Sequence, residues 1–293
     1  MNCIYCLKDF APQDLTDEHV IPLALGGLLV LKKAACSNCN SKVVNKCDAF
    51  LNNIFPPTLM ARSELDLRGH SGKQPQIELS GMDPVLGKVD MIMRKVPKGA
   101  KIIAKSGLKK KGKDFVCIAA TERQCLQMLS KAVGRDIKLS EIGDKGLIKA
   151  TSFETKEPVD WNLAHRAVAK VFYCYLLLEL GEQILHTSPM AVFREYFLSA
   201  AESAKIAPDF RSFGWFDVPA HYHVLMFDSG CTSNNGVCLF GGFWFRFSLD
   251  LSVLAPHGRH IAIDPVNHEI TEQITKYRGN WHQRTSIKWG WKR

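Results

Sequence analysis

The chain has 293 residues, 46% of them apolar, with 16 phenylalanines and a formal charge of +9. That much apolar surface excludes a largely disordered chain, because it can offset the entropy lost on ordering, and the length suits a small module joined to a larger one. The positive charge favours an anionic partner, nucleic acid before membrane, since no basic amphipathic helix of membrane type stands out.

At the start of the chain, Met1 to Phe10 lacks a basic stretch leading into an apolar run, so no signal peptide is read there and a cytoplasmic setting is expected. Next come a Gly26-Gly27 turn, a short apolar run from Leu28 to Leu31, and a helix expected from Ser41 to about Asn53, with Pro56-Pro57 stopping it. Strands are expected at Gln76 to Ser80, Lys88 to Arg94 and Phe115 to Ala119, separated by lysine-rich turns. A helix follows at Thr121 to Val133. Two more are expected at Trp161 to Glu182, where Ala164, Ala167, Val168, Val171, Tyr175 and Leu178 recur at helical spacing, and at Pro189 to Ala204. Val168 to Leu180 is the most apolar stretch, but Lys170 and Glu179 interrupt it and it is shorter than the roughly 20 residues of a spanning helix. From His221 onward the pattern turns to strands, at His221 to Phe227, Val237 to Phe240, Phe243 to Leu249 and His260 to Ile263. The expected fold class is α+β, with a small module at residues 1–57 and a larger mixed α+β domain at 58–293.

Ten cysteines in a chain neither short nor visibly exported do not read as a disulfide scaffold. Half of them, Cys3, Cys6, Cys36, Cys39 and Cys47, fall near the start, and the others are scattered. Cys3/Cys6 and Cys36/Cys39 are two CxxC pairs separated by 29 residues, a set of four soft ligands suited to a closed tetrahedral zinc site. A module this small buries too little apolar surface to be safely stable alone, whereas structural zinc binding supplies roughly 10 kcal/mol or more. Zinc is therefore expected in a structural role, and Cys47 as a helix-packing thiol.

Between the pairs stands Thr16-Asp17-Glu18-His19-Val20-Ile21-Pro22, then Leu25-Gly26-Gly27, and Asn40 directly follows the second pair. The string CIYC, EHVIP, LGG, CSNCN resembles the HNH endonuclease family, with its ββα-metal nuclease fold and, in small bacterial members, paired CxxC knuckles. The resemblance covers about the first 55 residues. It implies that His19 is the general base activating water, and that Glu18 and Asn40 hold a catalytic divalent ion, magnesium or manganese, on the scissile phosphate. It also implies a helix N-terminus directed at that phosphate. The family's middle asparagine, which braces the loop carrying the histidine, has no counterpart in Leu28 to Ala35, and Asn38 is the nearest candidate. Lys42 or Lys46 could reach the leaving side.

Residues 1–57 are formally neutral, so the task of holding nucleic acid falls downstream. Lys109, Lys110, Lys111 and Lys113, within a basic stretch running from Lys95, are the candidate phosphate contacts. The tail Lys288 to Arg293, with Trp289 and Trp291, is a second candidate. His221 and His223 share one strand face and read as structural histidines, while His165, Arg166 and Lys170 resemble an HRAxAK stretch of some longer HNH proteins. The expected function is a metal-dependent endonuclease acting on nucleic acid, DNA before RNA, with bacterial defence as a setting. The alternatives are a zinc-containing binding protein without catalysis and a nuclease activated by a ligand.

Overall fold

The structure is a computed structural model that describes residues 1–68, 72, 75–84, 86–96, 99–111, 113–119, 121–143, 152–155, 159–198, 208–211, 221–227, 235–240, 243–247, 251, 254, 258–276 and 280–288. It divides into two compact units: Met1–Pro75 together with Val159–Arg293, and Gln76–Pro158 between them. The first 75 residues share a core with the C-terminal part.

The first unit opens with a knuckle at Cys3 to Lys8, then β1 (Leu15–His19) paired antiparallel with β2 (Val30–Cys36), Leu15 opposite Cys36 and His19 opposite Val30. A continuous helical run follows: α1 (Ser37–Cys39), a π-helical stretch at Asn40–Val44, and α2 (Asn45–Asn53). Between β1 and β2 the chain reverses at Gly26 and Gly27. Gly26 has φ +80°, and a Cβ on Gly27 would stand 1.8 Å from the Ile21 carbonyl oxygen, so both positions require glycine. The helical run ends at Asn53, ahead of Pro56-Pro57 as expected, and the prolines then open a further helix, α3 (Pro56–Glu64), because proline lacks only a donor that the first turn leaves unbonded anyway.

The second unit contains an antiparallel sheet of β3 (Ile77–Asp83), β4 (Gly87–Val96), β5 (Gly99–Ala104) and β8 (Ser152–Thr155), in the order β5-β4-β3-β8. It also holds a hairpin of β6 (Gly107–Lys111) and β7 (Asp114–Ile118) and a helix, α4 (Glu122–Val133). Thr121 caps α4 by accepting from the Gln124 N–H, and Gly134 closes it in the left-handed conformation. Val89, Met91 and Ile118 form this unit's core.

The first unit resumes with α5 (Trp161–Leu180), whose N-terminus Asp160 caps at the Leu163 N–H. Every residue of α5 from Ala164 to Leu177 except Arg166 is buried, the mark of a central helix rather than a surface one. Then come α6 (Ser188–Leu198) and β9 (Pro208–Arg211), β10 (His223–Phe227), β11 (Gly236–Leu239), β12 (Phe243–Phe247), β13 (Gly258–Asp264), β14 (Glu269–Lys276) and β15 (Asn280–Lys288). These seven strands form one antiparallel sheet in the order β15-β14-β13-β10-β11-β12-β9. Phe172 stacks on Phe247 at 5.2 Å, and Tyr175 meets Phe227 at 6.0 Å, seating α5 on the sheet. One hydrophobic core runs from Cys3 through α5 to Ile263. The architecture is α+β, a zinc-knuckle ββα module followed by a larger domain. Among the described residues no helix is long and apolar enough to cross a membrane.

Candidate functional site

The four knuckle cysteines converge: the sulfurs of Cys3, Cys6, Cys36 and Cys39 all lie within 4.8 Å of one another, and Cys6 and Cys36 are 4.0 Å apart. Four sulfurs bound tetrahedrally at the usual zinc distance would stand about 3.8 Å apart. The Cys36 N–H donates to the Cys3 sulfur at 3.3 Å, which stabilises a thiolate. The residues present fit zinc, with no position left open for water. Cys47 is buried on α2 outside this set, as expected of a packing thiol.

The knuckle is rooted in the larger domain. Tyr5, between two zinc ligands, is buried against Tyr173 of α5 and edge-on to Phe197 of α6, and its hydroxyl lies 3.4 Å from the Cys174 sulfur. The Tyr173 hydroxyl in turn donates to the Ile4 carbonyl. At the glycine turn the Leu25 carbonyl meets Nε2 of His223 on β10 at 2.8 Å.

β1 carries an irregularity between Thr16 and Glu18 that reverses its alternation. Thr16 and Asp17 are both exposed, Glu18 turns inward, and His19 is half-buried. Asp17 accepts from the Lys32 ammonium at 2.8 Å and from the Lys33 N–H at 3.0 Å, and these bonds hold its carboxyl below the usual range. Asn40, half-buried at the start of the π-helical stretch, donates to the Thr16 hydroxyl at 2.9 Å, which itself donates to the Ala35 carbonyl. Asn40 is thereby tied to the strand that carries His19.

Glu18 is only 2% exposed, and its carboxylate forms an ion pair with Lys170 of α5, itself 0% exposed. The same ammonium donates to the His19 carbonyl at 3.0 Å and to Asp48 of α2 at 3.1 Å. Burial opposes the ammonium, but Asp48 and Glu18 together outweigh it and hold the Lys170 pKa above its ordinary value. Burial pushes the Glu18 carboxyl up against the pull of Lys170. For a catalytic divalent ion the fit is therefore unequal. Asn40 sits on a half-exposed face, whereas Glu18, buried and engaged by Lys170, does not fit an ion ligand as it is held here.

Lys46 is exposed on α2, and the Lys42 side chain lies outside the described residues. Lys109, Lys110 and Lys113 are exposed at the β6–β7 hairpin of the second unit, Lys109 donating to the Lys88 carbonyl at 2.9 Å. The Lys111 side chain, Cys231 and the tail 289–293 are outside the described residues. His223 is fully buried, with burial pushing its pKa down to about 4, and it receives the Phe240 N–H on Nδ1 at 3.4 Å. It is a neutral structural histidine. His221 lies 3.5 Å from Asp264 instead. Lys170 and Asp48 are not evident as a pair in the sequence; Lys170 alone is marked there, as a lysine interrupting the most apolar stretch of the chain and as the end of the HRAxAK string.

Residues 3–56 match the family model described as HNH endonuclease. Comparison with curated proteins and with solved structures gave no match. With the paired knuckles, the strand-strand-helix order and that match in agreement, the N-terminal module is of the HNH endonuclease family, set in one core with a larger domain that the match does not reach.

Proposed function

We propose that the chain is a nuclease that hydrolyses phosphodiester bonds in nucleic acid, DNA before RNA, with magnesium or manganese as the catalytic ion and zinc confined to structure. The observation carrying this reading is the match of residues 3–56 to the family model described as HNH endonuclease; His19, half-buried on β1, is the base we propose. In this reading His19 takes a proton from the attacking water, a role worth roughly 10² to 10⁴ in rate. Asn40, on the adjoining turn of helix, is the candidate ion ligand, and no step is assigned to Glu18.

Charge supports the choice of substrate. Residues 76–158 contain seventeen lysines and arginines against ten acids, so this unit holds +7 of the chain's +9. Lys109, Lys110, Lys111 and Lys113 are the proposed phosphate contacts within it, binding that is electrostatic and independent of sequence. Bacterial defence, the proposed setting, rests on the family resemblance alone.

One observation favours a second reading. With Glu18 engaged by Lys170, the module suits a protein that binds nucleic acid without cutting it, or one whose nuclease waits for a ligand. Incubating supercoiled plasmid, and separately a labelled RNA, with the zinc-loaded chain and magnesium, manganese or EDTA distinguishes these. Nicked or linear DNA with either ion and none with EDTA is the expected result. Retarded but intact DNA under all conditions supports the binding reading, and cleavage only after addition of cell extract supports the ligand-activated one.

A further inference from the structure

An ammonium has three protons to donate. That of Lys170 meets three acceptor groups of the N-terminal module: the Glu18 carboxylate and the His19 carbonyl on β1, and the Asp48 carboxylate on α2. The group is wholly buried, and such a group is costly unless fully bonded. Here it is saturated, and by groups from both sides of the strand-helix motif. Its own backbone lies on α5, which is locked in place by the sheet beneath it.

We propose that Lys170 is a positioning residue for the nuclease reading above: from α5 it fixes the backbone of His19 and the spacing of β1 from α2, with Glu18 and Asp48 serving as its counter-charges. The inference rests on the proposed function only for its kinetic consequence. Its geometric content stands on the contacts themselves. Opposite Asp17 the partner strand β2 bulges, with Lys32, Lys33 and Ala34 facing that single residue, and just beyond it Glu18 turns inward while the carbonyl of His19 meets the same ammonium. The site of chemistry and the larger domain are then one mechanical piece. A displacement of α5 moves His19, and a misplacement of about 1 Å costs on the order of 10²-fold in rate.

The test uses the full zinc-loaded chain. Labelling with carbonyl-13C histidine and 15N valine gives two cross-peaks, because His-Val occurs only at His19-Val20 and His223-Val224. In Lys170→Met the His19 carbonyl peak moves upfield as its donor is removed, while the His223 peak stays. A second variant, Lys170→Met with Glu18→Gln, removes the buried charge imbalance and gives the same carbonyl shift. In plasmid cleavage, Lys170→Met loses about 10²-fold in kcat with KM unchanged. An unmoved His19 peak in a folded variant overturns the proposal, as does unchanged kcat. Unfolding of the charge-balanced double variant also overturns it, since Lys170 would then be a general stability element. If the wild-type chain cleaves nothing, with or without cell extract, the nuclease reading fails, and the carbonyl peak alone decides whether the brace exists.

Discussion

The Lys170 ammonium donates to the backbone carbonyl of His19 at 3.0 Å, across 151 positions of sequence. The hydrogen bond joins a strand of the family-matched module to a helix that the match does not reach. It leaves the imidazole of His19 on the half-buried side of β1, and the expected role of that imidazole is the first point to test. His19→Ala should lower plasmid cleavage by at least roughly 10²-fold, the low end of what a general base contributes. The substitution keeps the carbonyl that Lys170 holds, so zinc content and the thermal transition should match wild type. Cleavage at the wild-type rate would remove His19 from the mechanism.

Zinc loss should reach well beyond the first 57 residues. Tyr5 lies between two ligands yet packs on Tyr173 and Phe197, so collapse of the knuckle opens the core around α5. Cys36→Ser is expected to abolish the one equivalent of zinc measured by atomic emission and to unfold the whole first unit. The binding energy removed is of order 10 kcal/mol, as large as the stability of a domain. Near-ultraviolet circular dichroism reports the tyrosine packing directly. A variant that lost zinc but kept that signal would show the knuckle to be separable.

The contrast between these two sites shows what is legible in the sequence. Cysteine spacing reads directly, because two CxxC pairs admit few arrangements around one ion, and α5 reads from its helical recurrence of Ala164, Val168, Val171 and Tyr175. The direction of Glu18 does not. Strict alternation would place Glu18 and Thr16 on one face, but opposite the bulge in β2 Thr16 and Asp17 are exposed in succession and Glu18 is buried. The bulge belongs to another segment, Lys32 to Ala34 with Lys33 at φ +50°, so the five residues Leu15 to His19 carry no sign of it. Lys170 is visible as a charge inside an apolar helix, but its partners stand in another segment and only the fold brings them together. The stop before Pro56-Pro57 is legible and α2 ends at Asn53, but the helix that the same prolines open is not, because proline ends helices and begins them with the same backbone geometry.

The lysines of the β6–β7 hairpin can be tested without cleavage. Lys109, Lys110 and Lys113 are exposed, and removing one lysine–phosphate pair should reduce the slope of log affinity against log salt by about 0.9 for duplex DNA. Replacing the three with alanine should therefore weaken binding of an uncleaved duplex at low salt and flatten its salt dependence, without preference for sequence. Unchanged affinity and slope would move the nucleic-acid surface elsewhere on the chain.

His223 makes stability depend on pH, and the sign follows from its burial. Desolvation, against the opposing bond that Nε2 makes to the Leu25 carbonyl, depresses its folded pKa to about 4, while the unfolded chain has an ordinary histidine near 6.5. Between those values the unfolded state binds the extra proton. The stability from keeping His223 neutral is thus present above about pH 6.5 and is lost as pH falls towards 4. Going from about pH 7.5 to about pH 5.0 should cost about 2 kcal/mol at this residue, from the linkage between the two pKa values. His223→Gln is uncharged throughout and can still donate to the Leu25 carbonyl, so it should lack that acid loss. Urea unfolding of both proteins at the two pH values isolates the effect, because the knuckle thiols and the other histidines contribute equally to each and cancel in the difference. Parallel losses in wild type and variant would mean that His223 meets the acid already protonated, and that the bond from β10 to the glycine turn is not a neutral hydrogen bond.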